Sequence, residues 1–362
     1  MVYEVTKGLG SHNRVINVFK GLVTDDVAPL YVKGDRKIVL GEGVLAMEIC
    51  LHIGAHRTGT TSFQQFMLQN GFAAGTGRDE VAFWGPMRTR RGLFSGLIKN
   101  PVKVTAGDMR AAQRSCGRIK MEIARLERAG VSQLIVSEEN MMGTMTQNLA
   151  TARLYMQVRR RLGVFGPAFG GHKLTVMLNI RSYYSFWAST FAYKVKAGMG
   201  LPDEDLLDRI SVQPRRWRDV IKDTAATFPE AEILVQPFEG TAGKAERQLN
   251  LALGDHFEGP LKTLDYPCNA SASSAELAQI MAQRGEKLAA DHLRTKPGRF
   301  MPFAPEQISK LRTDYDDDIS WLRSGADGIA TYIDPIGDTS DGLSDRQGRY
   351  HDKGEERVAE AS

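Results

Sequence analysis

Arg57, Thr60, Thr61 and Ser62 crowd into one short stretch, and their types suit one task, the gripping of an anion. Arg57 offers a permanent charge with a forked donor geometry, and the three hydroxyls add further donors. Glycines bound the segment Gly54–Gly59, so the backbone can pass close to a ligand with no Cβ in the way. Before it runs a short apolar segment, Ile49 to Ile53, that reads as a strand; after it the pattern predicts a helix opening at Thr60. A strand feeding a glycine-bounded loop into a helix N-terminus aims unpaired N–H groups and the positive end of the helix dipole at one point. The pattern G-x-x-x-x-G-T-T departs from the nucleotide-binding loop in which Lys follows the second glycine and reaches the β- and γ-phosphates. Thr60 holds that place, and the cation comes earlier, at Arg57. Such a loop suits a ligand with a shorter 5′ phosphate arm.

Two more groups stand at strand ends. Leu174 to Ile180 (LTVMLNI) is the cleanest buried strand in the chain; Arg181 follows it, and Ser189 lies on the next helix, expected to run to Lys196. Two helical turns bring the Ser189 hydroxyl back alongside the strand-end guanidinium, so the pair could hold a single phosphate. A second buried strand, Gln133 to Val136, runs straight into Ser137-Glu138-Glu139-Asn140. Ligands of open α/β sheets sit beyond the carboxyl ends of the strands, where a carboxylate within hydrogen-bond reach can act as a general base. The alternative for either glutamate is to cap the following helix; the reading gives one job to each. His52, on the strand, reads as a hydrogen-bonded packing residue. His56, within the loop, could touch the anion, but supporting its neighbours is the commoner role.

The K-x-G-T-T type of loop is that of the sulfotransferase family, and Arg57 to Thr61 resembles it, with Arg57 where the family usually has Lys. Arg181 and Ser189 are similar to the family's 3′-phosphate pair, although the usual Asp-Pro after the Arg is Ser182-Tyr183 here. The resemblance covers roughly residues 48–323 and is to bacterial members that use 3′-phosphoadenylyl sulfate. It implies a P-loop-like α/β fold with that donor held by Gly54, His56, Arg57, Thr58, Gly59, Thr60, Thr61, Ser62, Arg181 and Ser189. It implies a catalytic set of Arg57 with Glu139 or Glu138, the Glu removing the proton of a hydroxyl or amine on a small-molecule or carbohydrate acceptor. No metal is expected, because sulfuryl transfer needs none. A P-loop kinase using ATP and magnesium, or an inactive nucleotide-binding relative, are the alternatives.

The elements that must position these groups follow from pattern. A chain of 362 residues is long enough for one large α/β domain or two small ones. Its 42% hydrophobic and 25% charged content is ordinary for a soluble globular enzyme, and no domain break is legible between Met47 and about Asp334. A net charge of +4 falls well short of the basic footprint of a nucleic-acid binder. Cys50, Cys116 and Cys268 are widely spaced, which argues against a disulfide framework or zinc site and fits the reducing cytoplasm. No membrane span or signal peptide is legible. Residues 1–46 lack a clear period and are expected to be a poorly ordered extension, with translation beginning at Met47. Residues 47–333 are expected to form the α/β domain and 334–362 a disordered tail.

Within that domain, Glu80 to Trp84 predicts a strand. Arg88, Arg90 and Arg91 are placed in a loop that could guide an anionic acceptor, though a solvated charged loop is the commoner outcome. Met109, Ala112, Cys116, Ile119, Ile123 and Leu126 mark the apolar face of a long helix. Thr151 to Leu162 is expected to be one basic helix, Trp217 to Ile221 to lie on another, and Ile233 to Val235 to be the last strand. Helices follow around Leu249–Leu253, Asn269–Arg284 and Ile308–Leu322. Strands alternating with helices imply a mainly parallel central sheet flanked on both faces. The acceptor pocket is expected from loops 85–105 and 195–215.

Overall fold

The computed structural model describes residues 47–72, 80–255, 257–263 and 271–335. The expectations for 1–46 and for the tail beyond residue 335 lie outside the described residues. The described residues form one sheet of six strands, all parallel, in the order β2-β3-β1-β4-β5-β6. The strands are β1 (Glu48–Gly54), β2 (Val81–Trp84), β3 (Gln133–Ser137), β4 (Leu174–Ile180), β5 (Glu232–Pro237) and β6 (Thr331–Tyr332). A parallel sheet needs cover on both faces, which is why its strands read as apolar runs rather than alternating ones.

Alternation still sorts the side chains between two cores. Ile49, Leu51 and Ile53 of β1, Leu134 and Val136 of β3, and Val176, Leu178 and Ile180 of β4 enter the larger core. It is closed by the helices Ala106–Arg128, Tyr183–Lys196, Trp217–Thr227 and Pro305–Arg323. Cys50, Ile135, Met177 and Leu234 face the other way, onto Phe63, Phe66 and Met67 of the Thr60–Gln69 helix and Leu249 of the Ala245–Leu253 helix. On that second face the last inward positions turn polar: His52, Ser137, Asn179 and Gln236 stand side by side on four neighbouring strands. Asn179 accepts from Gln236 Nε2 at 2.8 Å and its own Nδ2 lies 3.3 Å from His52 Nε2. His52 Nδ1 lies 2.9 Å from Ser137 Oγ. These buried groups bond to one another along the row, which ends at Gln236 Oε1, an atom with no hydrogen-bond partner.

The strand order reverses at β1: the chain leaves β1 for β2 on one side, then returns from β3 to β4 on the other. The carboxyl end of β1 is therefore the topological switch point, where a crevice opens between diverging connections. The predicted loop, Arg181 and the glutamate pair all fall at this end of the sheet.

Four expectations about elements need correction. Thr151 to Leu162 is not one helix; Met145–Thr151 and Val158–Gly163 are separate, with Ala152 and Tyr155 between them at φ 52° and 38°. β5 is not the last strand, since Thr331–Tyr332 adds a parallel edge. Arg88 and Arg90 are not in a plain loop; Pro86–Arg88 is helical and the chain continues as a turn through Arg90 before it kinks out of helical conformation at Arg91 and Gly92 (φ +107°). On the long helix, Met109 is 55% exposed and Ser115 is buried in its place, because the helix packs along Ile119, Ile123 and Leu126 and its first turn overhangs the core. A helix at Lys287–Arg294 was not expected from the sequence.

Candidate functional site

Gly54 ends β1 with φ +115°, and the pairing of β1 with β4 shifts register between His52 and Gly54, so the chain lifts out of the sheet there. Ala55 N still donates to Asn179 O at 2.8 Å, which anchors the base of the loop to β4. Thr58 closes the loop on itself, its hydroxyl donating to Ala55 O at 2.6 Å, and is fully buried. Its side chain is thus spent on loop shape. Gly59, at φ +84°, caps the Thr60–Gln69 helix without a side-chain acceptor, so a ligand can meet the first-turn amides. Thr60 is buried, whereas Thr61 and Ser62 are half-exposed.

Arg57 adopts φ +63°, a left-handed conformation uncommon outside glycine and often found where a site demands it. Its Nε donates to Ser189 Oγ at 2.9 Å, and its carbonyl accepts from Arg181 Nη1 at 2.7 Å. The two elements expected to share a phosphate therefore both meet at Arg57, with no hydrogen bond between Arg181 and Ser189 themselves among the described residues. The Arg57 guanidinium also lies over the ring of Tyr193, 5.3 Å from its centroid. Ser189 Oγ pairs in addition with Ser271 Oγ at 2.6 Å.

The turn carrying Arg181 is fixed from several sides. Trp217 Nε1 donates to the Arg181 carbonyl at 2.8 Å, and Ser182 N donates to Glu239 Oε1 at 3.0 Å. Phe238 supports the guanidinium face at 4.6 Å. Further back, buried Asp318 accepts from Tyr183 Oη, from Trp217 N at 3.1 Å and from Arg218 Nε at 2.5 Å, tying the final helix to this turn. Arg181 is 7% exposed, and its Nε has no hydrogen-bond partner. Burial, joined by the charges of Arg299 and Arg57, pushes its guanidinium down to about 10. Arg181 thus stands near two other cations, opposed by the Glu239 carboxylate alongside, and keeps one buried donor unmet. Arg299 has no signal in the sequence; it follows Gly298 in a short irregular segment and pairs with Ser273 in an isolated antiparallel bridge.

On the opposite flank of the loop stand the glutamates. A Cβ added to Gly54 would come within 3.2 Å of Glu139 Cβ, so the loop and the glutamate are in direct contact. Glu138 is fully buried and makes the cap: it accepts from Asn140 N at 3.0 Å, from Asn140 Nδ2 at 2.9 Å and from Thr89 Oγ1 at 2.7 Å. It also accepts from Arg90 at 2.7 Å. Its oxygens are fully engaged, and it organises the turn rather than facing the loop. Glu139 keeps a side chain 15% exposed, accepting from Arg90 Nη2 at 2.8 Å and from Gln64 Nε2 at 3.3 Å. Burial raises its carboxyl, but His56 and Arg90 outweigh that and hold it below the ordinary carboxylate range. Glu139 is accordingly ionised at neutral pH.

His52 bears out the packing role, buried among Ser137, Asn179 and Phe63, with burial pushing it down to about 4. His56 is buried inside the loop against Tyr155 and Asn140. Tyr155 and Gln64 were not expected as site residues. Gln64 sits one helical turn beyond Thr60, which a helical wheel can reveal; nothing local marks Tyr155. Among the described residues no group of three or more His, Cys, Asp or Glu side chains could hold a metal, and no helix is long and apolar enough to cross a membrane.

No family model and no curated protein matches the chain. Among solved structures, the sulfotransferase domain from the curacin biosynthetic pathway is similar, at 11% identity and a TM-score of 0.33, over 75% of this chain and 97% of that one. The likeness is to a member of the family that the loop resembles, but at that score and identity the functional reading rests on this chain's own residues.

Proposed function

We propose that the chain is a sulfotransferase that moves a sulfuryl group from 3′-phosphoadenylyl sulfate to a hydroxyl or amine of a small-molecule or carbohydrate acceptor. The observation that carries the reading is the convergence on Arg57 of Ser189 from one side and Arg181 from the other, with Glu139 against the far flank of the same loop. The residues present fit the donor. The unmet Arg181 donor and the neighbouring Arg299 charge suit a 3′-phosphate, and the first-turn amides with Thr60, Thr61 and Ser62 suit the 5′ end.

The donor supplies an activated sulfur–oxygen bond; the chain's residues supply position and charge. Glu139 takes the acceptor proton as the acceptor oxygen or nitrogen bonds to sulfur. Arg57, freed from Ser189, offsets the charge that the departing phosphate keeps with the electron pair of the broken bond. Arg57 acts by charge alone, since a guanidinium does not give up its proton. Gln64 and Arg90 keep the Glu139 carboxylate turned toward the loop. Residues 47–333 are the catalytic domain in this reading, working in the cytoplasm.

Thermal unfolding with 3′-phosphoadenosine 5′-phosphate, run beside ATP with magnesium, tests it. A ligand at a hundred times its Kd stabilises the folded state by about 2.7 kcal/mol. The bisphosphate should raise the melting temperature and lose that effect in Arg181→Ala. Stabilisation by ATP with magnesium alone would sink the proposal in favour of a kinase.

A further inference from the structure

The transfer just described gives no task to the buried imidazole of His56 in the loop. Its backbone N–H donates to Tyr155 Oη at 3.0 Å, and its Nδ1 lies 2.9 Å from the same oxygen. A backbone amide can only donate, so Oη accepts there, and of its two partners only Nδ1 can take the proton that a buried hydroxyl must place. On the other side of the ring, Asn140 Nδ2 donates to Glu138 Oε1 at 2.9 Å, which turns Asn140 Oδ1 toward His56 Nε2, 3.4 Å away. An amide oxygen can only accept, so Nε2 carries the ring hydrogen. Two neighbours from different parts of the chain specify the same tautomer.

The chain goes to some length to place Tyr155. Its φ of 38° is a conformation that a bulky residue adopts only where its surroundings over-determine it. Its N–H is held by Asn148 Oδ1 at 3.0 Å, and its ring packs against Phe186 and Trp217 at centroid distances of 6.4 and 6.2 Å. Complete burial raises the phenol well above its usual range, so it remains a donor.

We propose that Tyr155 is a positioning residue that holds His56 as a neutral Nε2–H donor beside Glu139, for an oxygen of the sulfuryl group in the sulfotransferase reading on which this rests. The Nε2 contact to Asn140, at 3.4 Å, is long enough for a better acceptor to displace it. Neutrality is part of the design, because a cationic His56 would pair with Glu139 and occupy the base. Burial holds the ring neutral, with Arg90 pushing the same way, against Glu139, Glu138 and the Asn140 contact. Together with Tyr155, these are the groups that face it.

Long-range nitrogen–proton NMR on the full chain labelled with 15N-histidine reads the tautomer directly, His56 being assigned from its absence in His56→Gln. The wild type should show His56 as a neutral Nε2–H ring at pH 7. In Tyr155→Phe the Nδ1–H tautomer should appear, and the ring should protonate at a higher pH, since the bond favouring its neutral form is gone. A cationic or Nδ1–H His56 in the wild type overturns the proposal without any variant, and so does an unchanged tautomer and midpoint in Tyr155→Phe. The Hε2 resonance should move on adding 3′-phosphoadenylyl sulfate but not 3′-phosphoadenosine 5′-phosphate, which lacks the sulfuryl group. Equal movement with both overturns the role toward sulfur while leaving the sulfotransferase reading intact. Binding of neither nucleotide overturns both, whatever the tautomer.

Discussion

Glu139 stands under opposing influences, and the structure ranks them. Burial favours the protonated carboxyl, yet the neighbouring His56 and Arg90 bring the balance below the ordinary range. In the proposed reading activity needs the ionised Glu139 and a neutral His56, so it is present at neutral pH. It is lost as pH falls, first as His56 gains a proton and pairs with the carboxylate and then as Glu139 itself is protonated. Arg90→Gln removes a cation that stabilises the ionised form, so the acid limb of the kcat/KM profile should move to higher pH. The same change leaves buried Glu138 with its Thr89 and Asn140 bonds but without its half-exposed charged partner, at a cost of about 1–3 kcal/mol in urea unfolding. A limb that stays in place would show that Arg90 does not govern Glu139. Arg90 was legible in the sequence only as one of three arginines; its partners, 48 and 49 positions further on, were not.

The loop is the element on which site geometry depends. Gly54 is at φ +115° and touches the glutamate, so Gly54→Ala meets both a strained backbone and Glu139 Cβ at 3.2 Å. The expected cost is about 1–3 kcal/mol of stability, together with a fall in kcat larger than any change in the affinity for 3′-phosphoadenosine 5′-phosphate. Titration and turnover on the same preparation separate the two. Equal losses of binding and turnover would mean that the loop collapsed rather than that Glu139 was displaced. Strand, loop and helix here were readable in advance because apolar run, glycines and hydroxyls are contiguous. The kinked turn at Thr89–Leu93 is not legible in the sequence, since it brings Thr89 and Arg90 onto Glu138, far along the chain.

At the scale of the whole molecule, the polar row across β3, β1, β4 and β5 links the site to the sheet and sets an acid limit on stability. His52 in the folded chain is pushed from 6.5 down to about 4, so the unfolded chain binds more protons through that window. Stability is fully present above pH 6.5 and declines as pH falls toward 4, by about 3 kcal/mol from His52. Urea midpoints measured across that range should show the slope, and His52→Asn should flatten it while lowering the plateau. The sequence by itself determined the parallel α/β class, the glycine-bounded loop between strand and helix, and the strand-end positions of Arg181 and the glutamates, because each is written in neighbouring residues through period and turn chemistry. Only the tertiary structure decided that Arg181 and Ser189 meet through Arg57, that Glu138 is a cap while Glu139 faces the loop, and that Arg299 and Tyr155 join the site. Those outcomes depend on which side chains far apart in the chain share a buried space, and no local pattern encodes that proximity.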